Sequence, residues 1–191
     1  MAAGSRAQPV GQLANVSAAL IVPIGNHERI LVQRMTKSAL LLQRLFEDVV
    51  LIGDMGVESG ENETVGIVGR VLERDHISQS KLADLALALE AAREERMLVL
   101  AADSDFVTAE LLLGLTAWPE HECVAPRIGG ALRPLCALYQ RDVTLGALRE
   151  SLEREESDLS AFLNQLDCGV IEGDDLATLL VPPASVSAPV S

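Results

Sequence analysis

The chain has few aromatic residues, few cysteines and few cations. Aromatic side chains make up 3% of its 191 residues, so the core must be built mainly from leucine, valine, isoleucine and alanine. The formal net charge of −13 disfavours nucleic-acid binding, because phosphates are bound by clustered lysine and arginine. The same charge disfavours an anionic membrane surface. We therefore expect neither nucleic acid nor membrane as a partner.

The three cysteines, Cys123, Cys136 and Cys168, form no CxxC pair. An odd number without metal-type spacing disfavours a disulfide framework and a structural zinc site. No apolar run reaches the roughly 18 residues that a membrane-spanning helix needs. No apolar region follows Arg6 as it would in a signal peptide. These absences predict a cytoplasmic protein.

What is present is typical of a globular protein, since 49% of the residues are hydrophobic and 23% are charged. The length suits a single domain. We expect residues 17–180 to form this domain, which resembles a nucleotidyltransferase on the motifs given below. Residues 1–16 are small and polar and are expected to be flexible, and the Pro/Ser-rich residues 181–191 are expected to be a disordered tail.

Strand and helix patterns alternate along the domain. Short apolar runs predict strands, and leucines at helical spacing predict the helices between them. Strands are predicted at 17–24, 49–52, 66–72, 97–102, 122–126 and 170–171, and the run 134–139 is predicted as a strand entering a helix. Helices are predicted at 27–46, 80–92, 108–117, 159–166 and 174–180. A further helix is predicted from the spacing of Leu145, Leu148 and Leu152 and continues through about residue 154. This alternation predicts an α/β, Rossmann-like three-layer fold with a doubly wound, mostly parallel sheet.

The clearest local signal surrounds Asp103. An amphipathic helix leads into the strand at 97–102, the strand stops at Asp103, and a second helix starts near Thr108. Open α/β sheets bind ligands just beyond the carboxyl ends of their strands. Asp105 follows two positions later, so the two carboxylates would share a face if the strand continued. A paired-carboxylate metal site is one interpretation; exposed loop acids, with Asp103 capping the next helix, are the other.

Several stretches resemble the nucleotidyltransferase family that includes molybdenum cofactor guanylyltransferase and its cytidylyl relatives. The most specific is SKLADLALALEAAREERMLVLAADSDFVTAELL, which is similar to the family's GPLAGLLAALEAA…LVLACDMPFVSPELL. VPIGNHERILVQRM and FEDVVLIG resemble the segment PIGGRPLL and the strand that follows it. RPLCALYQRDV and VIEGDDLA resemble PLHALY and the closing NTPEDL. The resemblance covers about residues 20–180.

The resemblance implies Mg²⁺-dependent transfer of a nucleotidyl group from GTP or CTP to molybdopterin. In the family, the strand-end aspartate holds the divalent cation that bridges the nucleotide phosphates, and Asp103 aligns with it. The cation is needed because negative charge builds on phosphate oxygens during transfer. Mg²⁺ and a molybdopterin nucleotide are therefore the implied cofactors, with Asp103 as the implied metal ligand. Asp105 is a candidate second ligand only because of its spacing from Asp103.

The family's phosphate loop is present only as a remnant. Its pattern is close to LAGGxSxRMGxDKALL, in which backbone amides and cationic side chains surround the triphosphate. Here Gly4, Ser5 and Arg6 match only part of this pattern, and no apolar strand precedes them. Gly25 is a further remnant of the loop. The expected lysine falls among residues 17–19, which are Ser-Ala-Ala.

Other departures concern the base and the second metal contact. Ser80 and Asp84 replace the GPLAG glycines, and an aspartate beside a purine adds bulk and a desolvation cost. Asp105 replaces the proline after the strand-end aspartate. Ile171 replaces the asparagine of the closing motif and cannot coordinate a cation. Together with the missing lysine, these changes predict impaired catalysis.

A locally basic loop stands out in the acidic chain, formed by Arg127, Gly129, Gly130 and Arg133. It could receive a pterin phosphate or a protein partner; a plain surface loop is the alternative.

The sequence favours a diverged, catalytically impaired member of the family. Such a protein would act in molybdenum cofactor binding or maturation, or as an assembly partner of a molybdoenzyme or maturation factor. The alternatives are an active GTP- or CTP-dependent molybdopterin nucleotidyltransferase and a structural subunit that keeps only the fold.

Overall fold

A computed structural model of the chain describes residues 12–23, 29–53, 70–73, 80–118 and 120–180. The strands in this part are β1 (Leu13–Ile21), β2 (Phe46–Ile52), β3 (Arg70–Leu72), β4 (Arg96–Ala101), β5 (Cys123–Ile128), β6 (Ala131–Leu132), β7 (Cys136–Gln140) and β8 (Cys168–Ile171). The helices are α1 (Arg29–Leu45), α2 (Lys81–Ala91), α3 (Ala109–Thr116), α4 (Arg141–Glu153), α5 (Leu159–Leu163) and α6 (Gly173–Leu180). None of the described helices combines the length and apolar character needed to cross a bilayer.

One sheet runs through the molecule in the strand order β3-β2-β1-β4-β7-β5-β6, and β8 pairs with β5. The first four strands are parallel to one another, and β8 is parallel to β5. β7 is antiparallel to both of its neighbours, β4 and β5. The predicted α/β fold with a mostly parallel sheet is therefore confirmed, with one reversed strand in its interior.

β1 is buried on both faces because helices cover the sheet on both sides. Ala18 and Leu20 belong to a core that also contains residues of α1, α3 and α6. Ala19 and Ile21 belong to a second core with residues of α2, α4 and α5. This alternation follows from the two-residue period of side chains along a strand, and it gives the predicted three layers.

The position of β1 differs from its prediction. The sequence predicts a strand at 17–24 whose end lies at an edge or turn, because Pro23 cannot donate to a ladder. In the structure β1 begins at Leu13 and is central, hydrogen-bonded to β2 and β4. Pro23 is compatible with this place because the strand ends at Ile21, and Val22 makes the next bond, from its N–H to the Ile52 carbonyl (2.8 Å).

A buried polar network fixes the register near the amino ends of the strands. The fully buried hydroxyl of Ser17 in β1 donates to Asp48 Oδ2 of β2 at 2.7 Å. Ser17 Oγ also accepts the backbone N–H groups of Arg93 and Glu94 at 3.1 and 3.2 Å. A guanidinium nitrogen of Arg70 in β3 lies 2.8 Å from both Asp48 carboxylate oxygens. One serine thus joins β1, β2 and the α2–β4 connection.

We predict that Ser17→Ala lowers the free energy of unfolding by about 1–3 kcal/mol, because two part-buried backbone N–H groups lose their acceptor and Asp48 Oδ2 keeps only Arg70. Urea denaturation measures the change. Ser160→Ala removes the same hydroxyl from an exposed position and should change stability by less than about 0.5 kcal/mol. Equal effects of the two substitutions would contradict the role of Ser17.

Candidate functional site

A cleft of about 1030 Å³ opens at the carboxyl ends of β1 and β4. The two strands end side by side, with Ile21 opposite Ala101, and the Ala102 N–H donates to the Ile21 carbonyl at 2.9 Å. The strand order reverses here, since β2 and β3 lie on one side of β1 and β4 lies on the other. A parallel sheet leaves a crevice at such a point, because successive connections diverge.

The β4–α3 loop forms one wall of the cleft, and both Asp103 and Asp105 line it. The Ser104 N–H donates to the Ala101 carbonyl at 3.1 Å, so the chain turns as soon as β4 ends and Asp103 lies in the turn. Asp103 does not cap the next helix, because Thr108 does: its Oγ1 accepts the Leu111 N–H at 3.1 Å. The side chain of Asp103 is exposed to the cleft.

The two loop aspartates suit a magnesium ion that arrives with a phosphate ligand. Mg²⁺ prefers oxygen ligands and is commonly held by one or two carboxylates, with water and phosphate filling the other positions. Within the described ranges, no group of three or more His, Cys, Asp or Glu side chains is arranged so that it could hold a metal ion by itself. Asp103 and Asp105 would therefore leave most of the coordination shell to water and ligand.

The amino end of α2 forms a second wall and is already capped. Ser80 Oγ accepts the Ala83 N–H at 3.0 Å, and the Ser80 carbonyl accepts the Asp84 N–H at 3.1 Å. Asp84 is only 5% exposed and lines the cleft from the first turn of the helix. A helix amino end attracts anions, but here the side chain of Asp84 already supplies the negative charge. This is where the family resemblance places its glycines.

Arg133 and Phe106 connect opposite walls of the cleft. The Arg133 Cζ atom lies 5.9 Å from the centroid of the Phe106 ring, a cation–π distance. A guanidinium nitrogen of Arg133 also donates to the Ile128 carbonyl at 3.3 Å. The segment between β6 and β7 is therefore held against the β4–α3 loop, with a positive charge at the rim of the cleft.

The start of α5 closes the cleft with residues that the sequence does not predict as part of a site. Ser157, Asp158 and Ser160 line it. Asp158 is predicted as the helix N-cap and is one, since its Oδ1 accepts the Ser160 N–H at 2.8 Å. Its place across from Asp103 depends on the docking of α5 against the sheet, and no local pattern carries that information.

The lining of the cleft is acidic overall. Among its described residues, the carboxylates outnumber the cations; the carboxylates are Asp84, Asp103, Asp105 and Asp158, and the cations are Lys81 and Arg133. Such a lining repels a polyanion that comes without a cation.

The basic loop of the sequence is divided in the structure, and only Arg133 lines the cleft. Arg127 Nε lies 2.7 Å from Glu172 Oε2, so its charge is paired. Gly129 and Gly130 form the β5–β6 hairpin turn with φ values of 60° and 80°, a backbone that glycine adopts without strain. These two glycines serve the turn.

Of the segment aligned with the family's phosphate loop, the structure describes residues 17–19 but not the glycines. Residues 17–19, where the family's lysine falls, lie wholly buried inside β1 and not in a loop. The connection that follows β1 is residues 22–28, VPIGNHE, which contains no lysine or arginine. Gly4, Ser5 and Arg6 come before β1 in the chain, and with Gly25 they lie outside the described residues. Ile171 is 1% exposed and packs in the core.

Comparison with known proteins identifies the fold. No family model matches the chain, and no curated protein matches it. Its structure is similar to that of molybdopterin-guanine dinucleotide biosynthesis protein A from Archaeoglobus fulgidus, with a TM-score of 0.58, 15% identity, and coverage of 81% of this chain and 82% of that chain.

Two further structures agree with this. For 2-C-methyl-D-erythritol 4-phosphate cytidylyltransferase from Thermus thermophilus the TM-score is 0.62, with 15% identity and coverage of 87% of this chain and 94% of that chain. For a nucleotidyl transferase from Methanothermobacter the values are 0.58, 15%, 88% and 91%. The chain therefore has the nucleotidyltransferase fold.

Cys136, at the start of β7, lines the base of the cleft and titrates abnormally. Burial raises the pKa of its thiol from the ordinary 9.0 to about 12, against a smaller lowering by the charge of Arg133. The folded state therefore keeps a proton that the unfolded chain loses above pH 9. Its contribution to stability is complete below pH 9 and is lost as the pH rises from 9 towards 12.

We predict that between pH 8 and pH 10 the free energy of unfolding of the wild type falls by about 1.4 kcal/mol more than that of Cys136→Ala. Urea denaturation between pH 8 and pH 10 measures both slopes, so a uniform loss of stability in the variant does not affect the result. Parallel curves for the two proteins would show that Cys136 ionises normally.

Proposed function

We propose that this protein is a diverged, catalytically impaired relative of molybdenum cofactor nucleotidyltransferases that binds a phosphorylated pterin in the cleft and acts in cofactor binding or maturation. The observation that carries the proposal is the lining of the cleft: a capped, acidic α2 amino end and an excess of carboxylates over cations. The similarity to the Archaeoglobus protein supports the choice of cofactor.

The charge of the cleft favours a monophosphate over a triphosphate. Lys81 and Arg133 are its described cations, which suits the single phosphate of molybdopterin, whereas a nucleoside triphosphate carries about four negative charges at neutral pH. Each unpaired charge in a partly enclosed site costs free energy. The carboxylates of the cleft suit the pterin ring of the ligand, because adjacent N–H groups on that ring donate hydrogen bonds to carboxylate oxygens.

The absence of a cationic phosphate loop supports impaired transfer. The connection after β1 has neither lysine nor arginine, and such side chains stabilise the charge that develops on the transferred phosphoryl group. Removing one such preorganised group from an enzyme commonly costs about 10²–10³-fold in rate. We infer that nucleotidyl transfer by this chain is slowed by at least about this factor.

An active Mg²⁺-dependent enzyme is the second candidate, and one observation favours it. Asp103 and Asp105 both line the cleft, so two carboxylates that could hold the ion are present. A Mg²⁺ ion bound between Asp103 and Asp105 would offset part of the negative charge of the cleft and would attract a nucleoside triphosphate.

We predict that the protein purified from cells that make the cofactor carries a pterin, seen as fluorescence after oxidation of the extract. Arg133→Ala should lower the pterin content at least several-fold, because the phosphate loses a cation. Arg44→Ala, which removes an exposed cation at the far end of α1, should leave the content unchanged. A pterin-free wild type, or equal loss in the two variants, would overturn the proposal.

Calorimetry with GTP and CTP, each with and without Mg²⁺, separates the second candidate from the first. The impaired binder gives no pyrophosphate with either nucleotide in the presence of molybdopterin. The enzyme gives Mg²⁺-dependent heat and pyrophosphate, both lost in Asp103→Asn and both retained in Glu47→Gln, an exposed acid-to-amide change in β2. A stable protein partner without any pterin would identify the chain as a structural subunit.

A further inference from the structure

Three neighbouring strands place reactive side chains together, away from the cleft. Cys123 of β5 is the register partner of Cys168 in β8 on one side and of Tyr139 in β7 on the other. All three side chains belong to the same core, with Cys123 and Tyr139 fully buried and Cys168 packed at its margin. Nothing in the proposed function uses them.

The backbone positions of Cys123 and Cys168 already suit a disulfide. Residues paired across neighbouring strands lie about 4.8 Å apart, and the Cα atoms of a disulfide lie about 4.4–6.8 Å apart. Register partners also point to the same face of the sheet. The two sulfur atoms can therefore be joined without moving either strand along the other.

The two thiols differ in exposure and in chemistry. Cys168 is half-buried, whereas Cys123 is completely buried. A hydrogen bond from the Cys123 thiol, an Ala125 backbone N–H and the charge of His121 lower the pKa of Cys168, against burial and Asp167. The same hydrogen bond and burial raise the pKa of Cys123 well above its ordinary value. A half-buried thiol with a lowered pKa thus lies beside a completely buried thiol with a raised pKa.

His121 lies against β8, the strand that carries Cys168. Its Nδ1 atom lies 3.2 Å from Asp167 Oδ2, which orients the imidazole. Its ring also packs against the Gly169 backbone, where a Cβ would come within 2.5 Å of His121 Cδ2. From this place the charge of His121 acts on Cys168 through space.

We propose that Cys168 and Cys123 form an oxidisable dithiol pair, in which Cys168 reacts with a hydroperoxide and Cys123 closes a reversible disulfide between β8 and β5. A low-pKa, accessible thiol next to a resolving cysteine is the arrangement that hydroperoxides oxidise selectively. The proposal is independent of the ligand of the cleft.

The chemistry has two balanced steps. The Cys168 thiolate attacks one oxygen of the hydroperoxide, so that an S–O bond forms, the O–O bond breaks, and the other oxygen leaves as an alcohol or water after taking a proton. The Cys123 sulfur then attacks Cys168 sulfur, so that the S–S bond forms, the S–O bond breaks, and water leaves with the thiol proton. The two sulfurs lose two electrons in total, and the hydroperoxide gains them.

The test treats the folded full chain with hydrogen peroxide, blocks the remaining thiols with N-ethylmaleimide in urea, and maps the products by mass spectrometry. Cleavage with trypsin places the three cysteines in three separate peptides, because arginines lie between them and Arg154 precedes Cys168. We expect one cross-linked product, Cys123 with Cys168, and alkylated Cys136. The chain should remain monomeric on a non-reducing gel, and a reducing agent should restore three free thiols.

Variants separate the two roles. In Cys123→Ser, Cys168 should stop at the sulfenic acid, which dimedone traps; in Cys168→Ser, no cysteine should be oxidised. Cys136→Ser is the matched control and should still give the cross-link. Recovery of unmodified Cys123 and Cys168 from the wild type, a disulfide that involves Cys136, or a disulfide between two chains would each overturn the proposal. Because the first arm uses the wild type, a variant that fails to fold does not decide the outcome.

Discussion

The hydrogen bonding of β1 to β2 on one side and β4 on the other is the constraint on which the rest of the structure depends. A strand in this place must be apolar on both faces, and residues 16–22 are buried with Ser17 as the one polar side chain among them. Ser17 is accommodated because Asp48 and two backbone N–H groups satisfy it. The polar network sets the register at one end of the sheet, and that register brings the other ends of β1 and β4 level.

The position of the cleft follows because β1 and β4 end at the same level of the sheet. With Ile21 beside Ala101, the connections that leave the two strands diverge, and the cleft opens between them. The fold is that of the solved nucleotidyltransferases, but a fold does not determine the chemistry of a site, which depends on its side chains. Asp103 lines the cleft just beyond the end of β4, and Ser80 caps the amino end of α2, with Asp84 in the first turn of that helix. Among the described residues of the lining, carboxylates outnumber cations, which suits a less anionic ligand.

How far the sequence predicts this molecule depends on whether the information is local. The helix–strand–aspartate block around Asp103 is predicted closely, because helical leucine spacing, an apolar strand and an abrupt polar stop are all local patterns. The start of β1 is missed because Leu13, Ala14 and Asn15 carry no strand pattern of their own. Leu13 pairs with Phe46 of β2, and an irregularity in the register follows it before Ser17.

The same distinction applies to the site. Asp103, Asp105 and Arg133 are predicted and do line the cleft, whereas the contributions of α5 and Lys81 depend on tertiary packing. The phosphate-loop remnant at residues 4–6 stays a prediction, because those residues lie outside the described part of the chain.

Hydrogen exchange of backbone amides, followed by mass spectrometry with and without molybdopterin, tests the central claim most directly. If the cleft binds molybdopterin, the ligand slows amide exchange in residues 80–84, 101–106 and 132–136, the segments that line the cleft. Exchange in the β5–β6 turn and in α6 stays unchanged. No protection in these three segments, or protection confined to another surface, would contradict the claim that this cleft holds the ligand.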